Sequence, residues 1–240
     1  CALLVMSVKE DAPVYVAVLG LYFLLSKRSP KKGITIMVMA VAYFFIATFL
    51  INKFGSGTLN DRFSNFFYDG SDSFITVIKA IVLNPMYLIY ECFNEDRLKF
   101  FFQMIVPLGF IPFMIKKPSK LILLIPFIMF NLMGDYSYLH DIGYQYTYGS
   151  AAFLFYLMVL NYSELKPGLR NKFLAVAAAS SMFMFMGNTY GRLDGIKSYK
   201  NDKEKIETID KAIDLIPKDS SVAATTFLVP ALYDVREVYE

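Results

Sequence analysis

Three adjacent charged residues, Lys9-Glu10-Asp11, interrupt an apolar stretch that runs from Ala2 to Leu25. Successive helical residues point about 100° apart, so three charges in a row cannot all face the same way. Ionisable groups at membrane depth usually face a cavity or a partner. Glu10 and Asp11 are therefore candidate catalytic carboxylates, able to bind a metal or act as a general base, and Lys9 could hold a phosphate. The alternative is an interfacial turn whose charges are solvated or paired with one another.

A second polar group lies between two apolar segments, in the stretch from Asp135 to Tyr146. It combines two acids, the chain's only histidine, a glutamine and several tyrosines, a mixture of aromatic faces and polar groups that binds sugars. The candidate substrate-binding residues are Asp135, His140, Asp141, Tyr144, Gln145 and Tyr146. A divalent cation could use Asp135 or Asp141 with His140. Alternatively the tyrosines form an interfacial belt, since the chain has no Trp.

Arg62, Arg97 and Arg192 could each contact a lipid-linked phosphate, because the guanidinium group binds phosphate with two parallel donors. Arg62 is kept as a candidate substrate-binding residue; each arginine could instead anchor a helix at the interface. No Walker-type loop, dinucleotide-binding glycine pattern, Cys-x-x-Cys pair or nucleophile elbow occurs. These absences exclude soluble nucleotide-using enzymes.

The composition indicates that most of the chain lies in lipid. Hydrophobic residues make up 56% and charged residues 19%, and the mean hydropathy is +0.43. A bilayer core about 30 Å thick needs roughly 20 apolar residues per helix, and the sequence supplies about five or six such runs. The fold class predicted is mostly α, a polytopic transmembrane helix bundle whose partners are membrane lipids. The small net charge of +3 argues against nucleic acid.

The pattern along the chain predicts where the helices lie. The segment Phe74–Tyr90 is amphipathic, which predicts a helix that lies at the membrane interface and breaks at Asn84-Pro85. It belongs to a region, residues 60–97, in which we expect interfacial helices. After the first stretch, the expected spans are Gly33–Ile51, Leu98–Ile115, Leu121–Met133, Tyr148–Leu160 and Phe173–Met186.

The loops between these segments predict an orientation. Lys and Arg concentrate in three short loops, whereas the alternate loops are mixed in sign or acidic. Because positive loops stay on the cytoplasmic side, Lys9-Glu10-Asp11, the 52–97 connection, the 135–146 loop and the tail should be exoplasmic.

The C-terminal segment is less hydrophobic and predicts a separate module. We expect a helix bundle over residues 1–188 and a small exoplasmic α/β module over 189–240, with a helix over Asn201–Ile216 and a strand over Ser221–Leu228. We interpret the chain as a fragment that begins inside an apolar run, and we expect the C-terminal module to be truncated.

Several short motifs, in order along nearly the whole chain, resemble those of a family of predicted bacterial membrane proteins of unknown function. They are Lys9-Glu10-Asp11-Ala12-Pro13, Pro107-Leu108-Gly109-Phe110 with Pro112, Tyr144-Gln145-Tyr146, and the run from Ile216 to Ala224. That family is similar to the C-type glycosyltransferases.

The resemblance implies an enzyme of a bacterial plasma membrane that transfers a sugar from a polyprenyl-phosphate carrier to an exoplasmic acceptor. In such enzymes the principal catalytic acid lies near the N-terminus, so it is expected to precede Cys1, with Glu10 and Asp11 in supporting roles. A transporter or flippase for a lipid or polar solute is the alternative. A non-catalytic membrane assembly protein is the second alternative.

Overall fold

The computed structural model describes residues 1–54, 59–68 and 74–239, and most of these residues are helical. Short 3₁₀ and π helices connect the α-helices, and two short strands lie near the C-terminus. The α-helices are α1 (Ala2–Met6), α2 (Ala12–Leu25), α3 (Pro30–Phe54), α4 (Phe74–Leu83), α5 (Pro85–Cys92), α6 (Glu95–Ile105), α7 (Tyr148–Tyr162), α8 (Pro167–Asn201) and α9 (Lys203–Asp214).

Within the described residues, α3 and α8 are long and apolar enough to cross a membrane, and α4 with α5 would make a third span if the bent pair counts as one. The apolar helix α2 is shorter, with 14 residues. At about 1.5 Å per residue it extends about 21 Å, less than the roughly 30 Å of a bilayer core. The total of five or six spans stays a prediction.

The charged motif near the N-terminus separates two helices, so the apolar stretch from Ala2 to Leu25 is not one continuous helix. α1 ends at Met6, and α2 begins after Asp11, which occupies its N-cap position. Pro13 lies in the first turn of α2, where its missing N–H costs no helical hydrogen bond. Asp11 is therefore fixed at a helix N-terminus, and it is only 3% exposed.

Helices α2 and α3 pack closely because two glycines meet at their contact. A Cβ atom added to Gly20 would lie 2.8 Å from the backbone oxygen of Gly33, and one added to Gly33 would lie 2.7 Å from that of Gly20. Real Cβ contacts are longer, so neither position has room for a side chain. The turn between the two helices carries Lys27 and Arg28, at the end of α2 opposite Asp11.

The prediction of one continuous helix over Leu98–Ile115 is wrong. α6 ends at Ile105, and two 3₁₀ turns follow, Val106–Leu108 and Ile111–Phe113. Each turn contains a proline, which cannot donate the hydrogen bond that would continue an α-helix. Gly109 and Phe110 between them both have φ of +58°.

The predicted span Leu121–Met133 is likewise not one regular α-helix. It consists of a 3₁₀ helix, Pro118–Leu124, and a π-helix, Phe127–Leu132. By contrast, the predicted break at Asn84-Pro85 is confirmed, because α4 and α5 meet there at 101°. Asn84 caps α5 by accepting a hydrogen bond from the backbone N–H of Tyr87 at 3.2 Å.

The chain forms two compact units, Cys1–Met182 and Phe183–Glu240. The core of the first is aromatic and includes Tyr15, Tyr22, Phe100, Phe127 and Phe130. In the second, the strands β1 (Ser221–Ala223) and β2 (Glu237–Tyr239) pair in parallel.

Two predictions for the C-terminal part need correction. The strand expected over Ser221–Leu228 ends at Ala223, because Thr225–Leu228 forms a turn in which the Leu228 N–H donates to the Thr225 oxygen. The last span, expected to end at Met186, belongs to α8, which continues to Asn201. The domain boundary at residue 188 stays a prediction.

Candidate functional site

Charged and aromatic side chains converge where α2 and α7 begin. We call this group the Asp11 cluster. Its members come from the α1–α2 junction, the short helix Leu59–Phe66, the 135–146 loop and the start of α7, and they are Lys9, Glu10, Asp11, Arg62, Tyr146 and Tyr148.

Arg62 joins the two carboxylates of the cluster. Its Nη2 pairs with Oε1 of Glu10, and its Nη1 lies 3.4 Å from Oδ2 of Asp11. The backbone holds Arg62 in place, because the N–H of Asp135 donates to the Arg62 carbonyl oxygen at 2.8 Å. The long connection after α3 thus returns to the charged motif near the N-terminus.

Asp11 is the buried centre of the cluster. The Tyr148 hydroxyl donates to its Oδ1 at 2.8 Å, and Lys9 Nζ lies 3.8 Å from its Oδ2. The carboxylate also lies at the N-terminus of α2, where the exposed N–H groups and the helix dipole favour negative charge. These contacts hold Asp11 in one position.

Lys9 has an unusual position, because its ammonium group is buried and has no hydrogen-bond partner among the described residues. Its Nζ lies 4.1 Å from the centroid of the Tyr146 ring, which gives a cation–π contact. A buried N–H donor without an acceptor costs about 1–3 kcal/mol or more when charged. An anionic or hydroxylated ligand that accepted from Lys9 would recover that energy.

Glu10 is the more accessible carboxylate. Its side chain is 26% exposed, compared with 5% for that of Asp11. Since Arg62 occupies one of its oxygens, Glu10 can accept a proton from a ligand at the other oxygen. Asp11 is therefore the carboxylate that its contacts hold in place, whereas Glu10 is the carboxylate that a ligand can reach.

The remaining predicted residues of the 135–146 loop lie outside the Asp11 cluster. Asp135 accepts from Ser64 Oγ at 3.0 Å, which joins the loop to the helix Leu59–Phe66. Tyr144 stacks on Tyr138 with ring centroids 4.1 Å apart. Gln145 is exposed.

His140 and Asp141 line a separate polar cavity of about 260 Å³ with Asp96, Lys99, Gln103 and Ser137. Burial and the nearby positive charge of Arg97 lower the pKa of His140 below its usual value. Its imidazole is therefore neutral at pH 7. Asp141 accepts from the backbone N–H of Gly143 at 2.7 Å, so part of its role is to fix the turn.

The amino-acid pattern over almost the whole chain matches one protein family. The family described as "Predicted membrane protein (DUF2079)" matches residues 1–239. The chain belongs to this family. No curated protein and no solved structure matches this chain.

The resemblance to a family of predicted membrane proteins is thus confirmed. The charged motif Lys9-Glu10-Asp11 supplies half of the Asp11 cluster. In the described part of this DUF2079 chain, no three His, Cys, Asp or Glu side chains lie close enough to share a metal ion. Binding of a divalent cation therefore stays a prediction, because the described residues contain no group of side chains that could hold it.

Two residues behind the site were missed by the sequence analysis. Asn131 is fully buried, and its Nδ2 donates to the carbonyl oxygens of Leu139 and Tyr146. Ser150 in α7 donates to the Asn131 oxygen. They attach the loop to α7 and so position Tyr146. A polar residue inside an apolar segment was the available signal for Asn131.

Close contact between α2 and α7 also depends on a glycine. A Cβ atom at Gly149 would lie 2.5 Å from the Tyr15 ring, so a side chain there would push the helices apart. The Tyr15 hydroxyl lies 3.5 Å from Ser150 Oγ. Gly149 thus allows Tyr148, the preceding residue, to reach Asp11.

Proposed function

We propose that this membrane protein is a glycosyltransferase that moves a sugar from a polyprenyl-phosphate donor to an acceptor on the exoplasmic side of a bacterial plasma membrane. The observation that carries the proposal is the Asp11 cluster, which combines a reachable carboxylate with two cationic groups and aromatic rings. Transfer of a sugar from a phosphate needs a proton acceptor and positive charge beside the leaving phosphate.

In the proposed reaction, Glu10 takes the proton of an acceptor hydroxyl. The acceptor oxygen forms a bond to the anomeric carbon of the sugar, and the bond from that carbon to the phosphate oxygen breaks. The electron pair stays on the oxygen, so the polyprenyl phosphate leaves with its negative charge. Lys9 and Arg62, which both lie over the Tyr146 ring, are placed to offset that charge.

The direction of two helices supports an exoplasmic site. Both α2 and α7 begin at the Asp11 cluster. Their other ends lead into the basic loops that contain Lys27 and Arg28, and Lys166 and Arg170. Since positive loops remain in the cytoplasm, the beginnings of both helices are assigned to the opposite side.

The proposal is tested by measuring sugar transfer from polyprenyl-phosphate hexose in membranes that contain the full-length protein. We expect Glu10→Gln to lower the rate about 10²–10⁴-fold, the usual contribution of a general base. Asp11→Asn should lower it less. Glu207→Gln, on the exposed face of α9, is the matched control and should keep the wild-type rate. Unchanged transfer in both site variants would overturn the proposal.

A transporter for a lipid or polar solute is the second candidate. It is favoured by the discontinuous helices, with a 101° bend between α4 and α5 and positive φ at Gly109 and Phe110. Transporters use such breaks to bind their substrates. Uptake of polyprenyl-phosphate hexose into vesicles without any new glycosidic bond would favour this candidate over the transferase.

A further inference from the structure

Positive charge is concentrated in the turn between α2 and α3. The turn reads Lys27-Arg28-Ser29-Pro30-Lys31-Lys32 and contains no acid. We call these six residues the basic turn. Its four cationic side chains are exposed, and none forms an ion pair or a hydrogen bond with the described residues. The basic turn is therefore a compact patch of positive charge that the rest of the described chain does not neutralise.

The backbone of the basic turn keeps these charges close together. Lys27 follows Ser26, the C-cap of α2, and its φ of +55° ends the helix and reverses the chain. Gly33 directly follows Lys32 and packs against Gly20, so α3 begins in close contact with α2. Because the cations cannot move far apart, they repel one another, and an anion bound between them would relieve that repulsion.

Cations in the other basic loops are already paired within the protein. Lys117 and Lys120 both pair with Glu164. Arg170 donates to two backbone oxygens of its own loop. The basic turn instead leaves its charges open to an external anion.

An exposed apolar stripe on α3 continues directly from the basic turn. The stripe consists of large side chains that are 43–66% exposed, Ile34, Val38, Val41 and Phe45. They follow Lys31 at steps of three and four residues, so Lys31 lies on the same helix face, at the end of the stripe. Since α3 is long and apolar enough to cross a membrane, this face suits hydrocarbon chains and its cationic end suits their headgroups.

We propose that the basic turn and the stripe together bind an anionic phospholipid, with its phosphate beside Lys31 and Lys32 and an acyl chain along α3. Groups of four or more Lys and Arg residues next to a membrane helix recognise anionic headgroups. A free phosphate ion would contact the charges but not the stripe, and the cationic group of a zwitterionic lipid would be repelled. The proposal does not depend on sugar transfer at the Asp11 cluster.

The test uses the full-length protein in detergent and native mass spectrometry with added dioleoyl phosphatidylglycerol or dioleoyl phosphatidylcholine. The wild type should retain phosphatidylglycerol and release phosphatidylcholine. Lys31→Gln with Lys32→Gln should weaken phosphatidylglycerol binding about 25-fold, since each cation near an anionic surface contributes about fivefold. Lys31→Arg with Lys32→Arg keeps both charges and should bind as the wild type does. Both side chains are exposed, so the variants should fold.

Lys205→Gln with Lys211→Gln is the matched control, because it removes two exposed lysines from α9 in the other compact unit. It should bind phosphatidylglycerol as the wild type does, and an excess of inorganic phosphate should not displace the lipid. The proposal is overturned if the wild type retains both lipids equally or neither of them, or if the Lys31 and Lys32 glutamine variant binds as the wild type does. Equal loss in the α9 control, or displacement by inorganic phosphate, would overturn it too.

Discussion

Two clusters of charged residues lie at opposite ends of α7, and they differ in whether the buried lysine ammonium of each has a hydrogen-bond acceptor. The Asp11 cluster is at the beginning of the helix, and a second group, the Lys120 cluster, is at its end. From Tyr148 to Asn161 the helix rises about 20 Å. The Lys120 cluster consists of Lys116, Lys117, Lys120, Asn161 and Glu164.

The Lys120 cluster satisfies its buried ammonium. Lys120 is 2% exposed, and its Nζ lies 2.8 Å from both Glu164 Oε2 and Asn161 Oδ1 and 3.2 Å from the Leu160 oxygen. Asn161 in turn donates to the carbonyl oxygens of Ile111 and Pro112 in the irregular segment after α6. This cluster connects α7 to two segments without regular α-helix.

The comparison teaches that a buried lysine alone does not indicate a binding site. Lys120 is more buried than Lys9, whose side chain is 20% exposed, yet of these two lysines only Lys9 lacks a hydrogen-bond acceptor among the described residues. We interpret the Lys120 cluster as structural and the Asp11 cluster as the place where a ligand completes the pairing.

After Glu10→Gln, the largest expected loss of sugar transfer comes from changing the arginine that joins the two carboxylates. Arg62→Gln should lower sugar transfer about 10²-fold, because misplacing catalytic groups by about 1 Å has that effect. Arg62→Lys should recover little, since one ammonium cannot replace the two nitrogens that contact Glu10 and Asp11. Arg236→Gln, at an exposed arginine near the C-terminus, is the control and should keep the wild-type rate. A wild-type transfer rate in Arg62→Gln would contradict the conclusion that Arg62 joins Glu10 and Asp11 into one site.

Stability should separate the two lysines. Lys120→Met should lower the free energy of unfolding by about 3–5 kcal/mol, because it leaves buried oxygens of Glu164 and Asn161 without their cation. Lys9→Met should cost much less, since no hydrogen bond is lost. Thermal unfolding of both variants in nanodiscs measures the difference. Equal destabilisation would mean that the comparison between the clusters is wrong.

Packing at the Asp11 end of α7 gives the next prediction. Gly149→Ala should destabilise the protein by about 1–3 kcal/mol, because the new methyl group overlaps the Tyr15 ring. It should also reduce transfer by moving Tyr148 away from Asp11. Gly187→Ala in α8 is the matched control, since nothing lies within 4 Å of its new Cβ. A wild-type unfolding temperature in Gly149→Ala would show that α2 and α7 are not in close contact.

The smallest effect expected is a pH dependence from the Lys120 cluster. Hydrogen bonding from Lys120 and Lys117 lowers the pKa of Glu164 below its ordinary value of 4.5. A carboxyl group with a lowered pKa stabilises the fold above its unfolded pKa, and the stability is lost as pH falls through the folded value. The unfolding temperature should therefore fall below pH 4.5 in the wild type, and less in Glu164→Gln. Identical pH profiles would contradict this pairing.

Much of the helical architecture could be predicted, but the irregular parts could not. Apolar length identified α3 as a span, and Asn84-Pro85 identified the break between α4 and α5. The sequence predicts a span that continues through Pro107, because sequence alone cannot show whether neighbouring groups replace the hydrogen bond that proline lacks. Ser180 and Ser181 of α8 do bond to the carbonyl oxygens of Val106 and Pro107, beside the end of α6.

The candidate site was predictable by residue type but not by arrangement. The charges of Lys9-Glu10-Asp11 were conspicuous in an apolar stretch, and Tyr146 was on the candidate list. Tyr148 was not, because a tyrosine at the start of a membrane helix is usually an interfacial anchor. Its contact with Asp11 joins residues 137 positions apart, and only the packing of α2 on α7 reveals it.

The most direct test of the account measures transfer and unfolding temperature together in Glu10→Gln and Glu164→Gln. If the Asp11 cluster is catalytic and the Lys120 cluster is structural, Glu10→Gln should lose transfer and keep its unfolding temperature. Glu164→Gln should keep the transfer rate of the folded protein and unfold at a lower temperature. The opposite pattern, or the same loss of both properties in the two variants, would contradict the account.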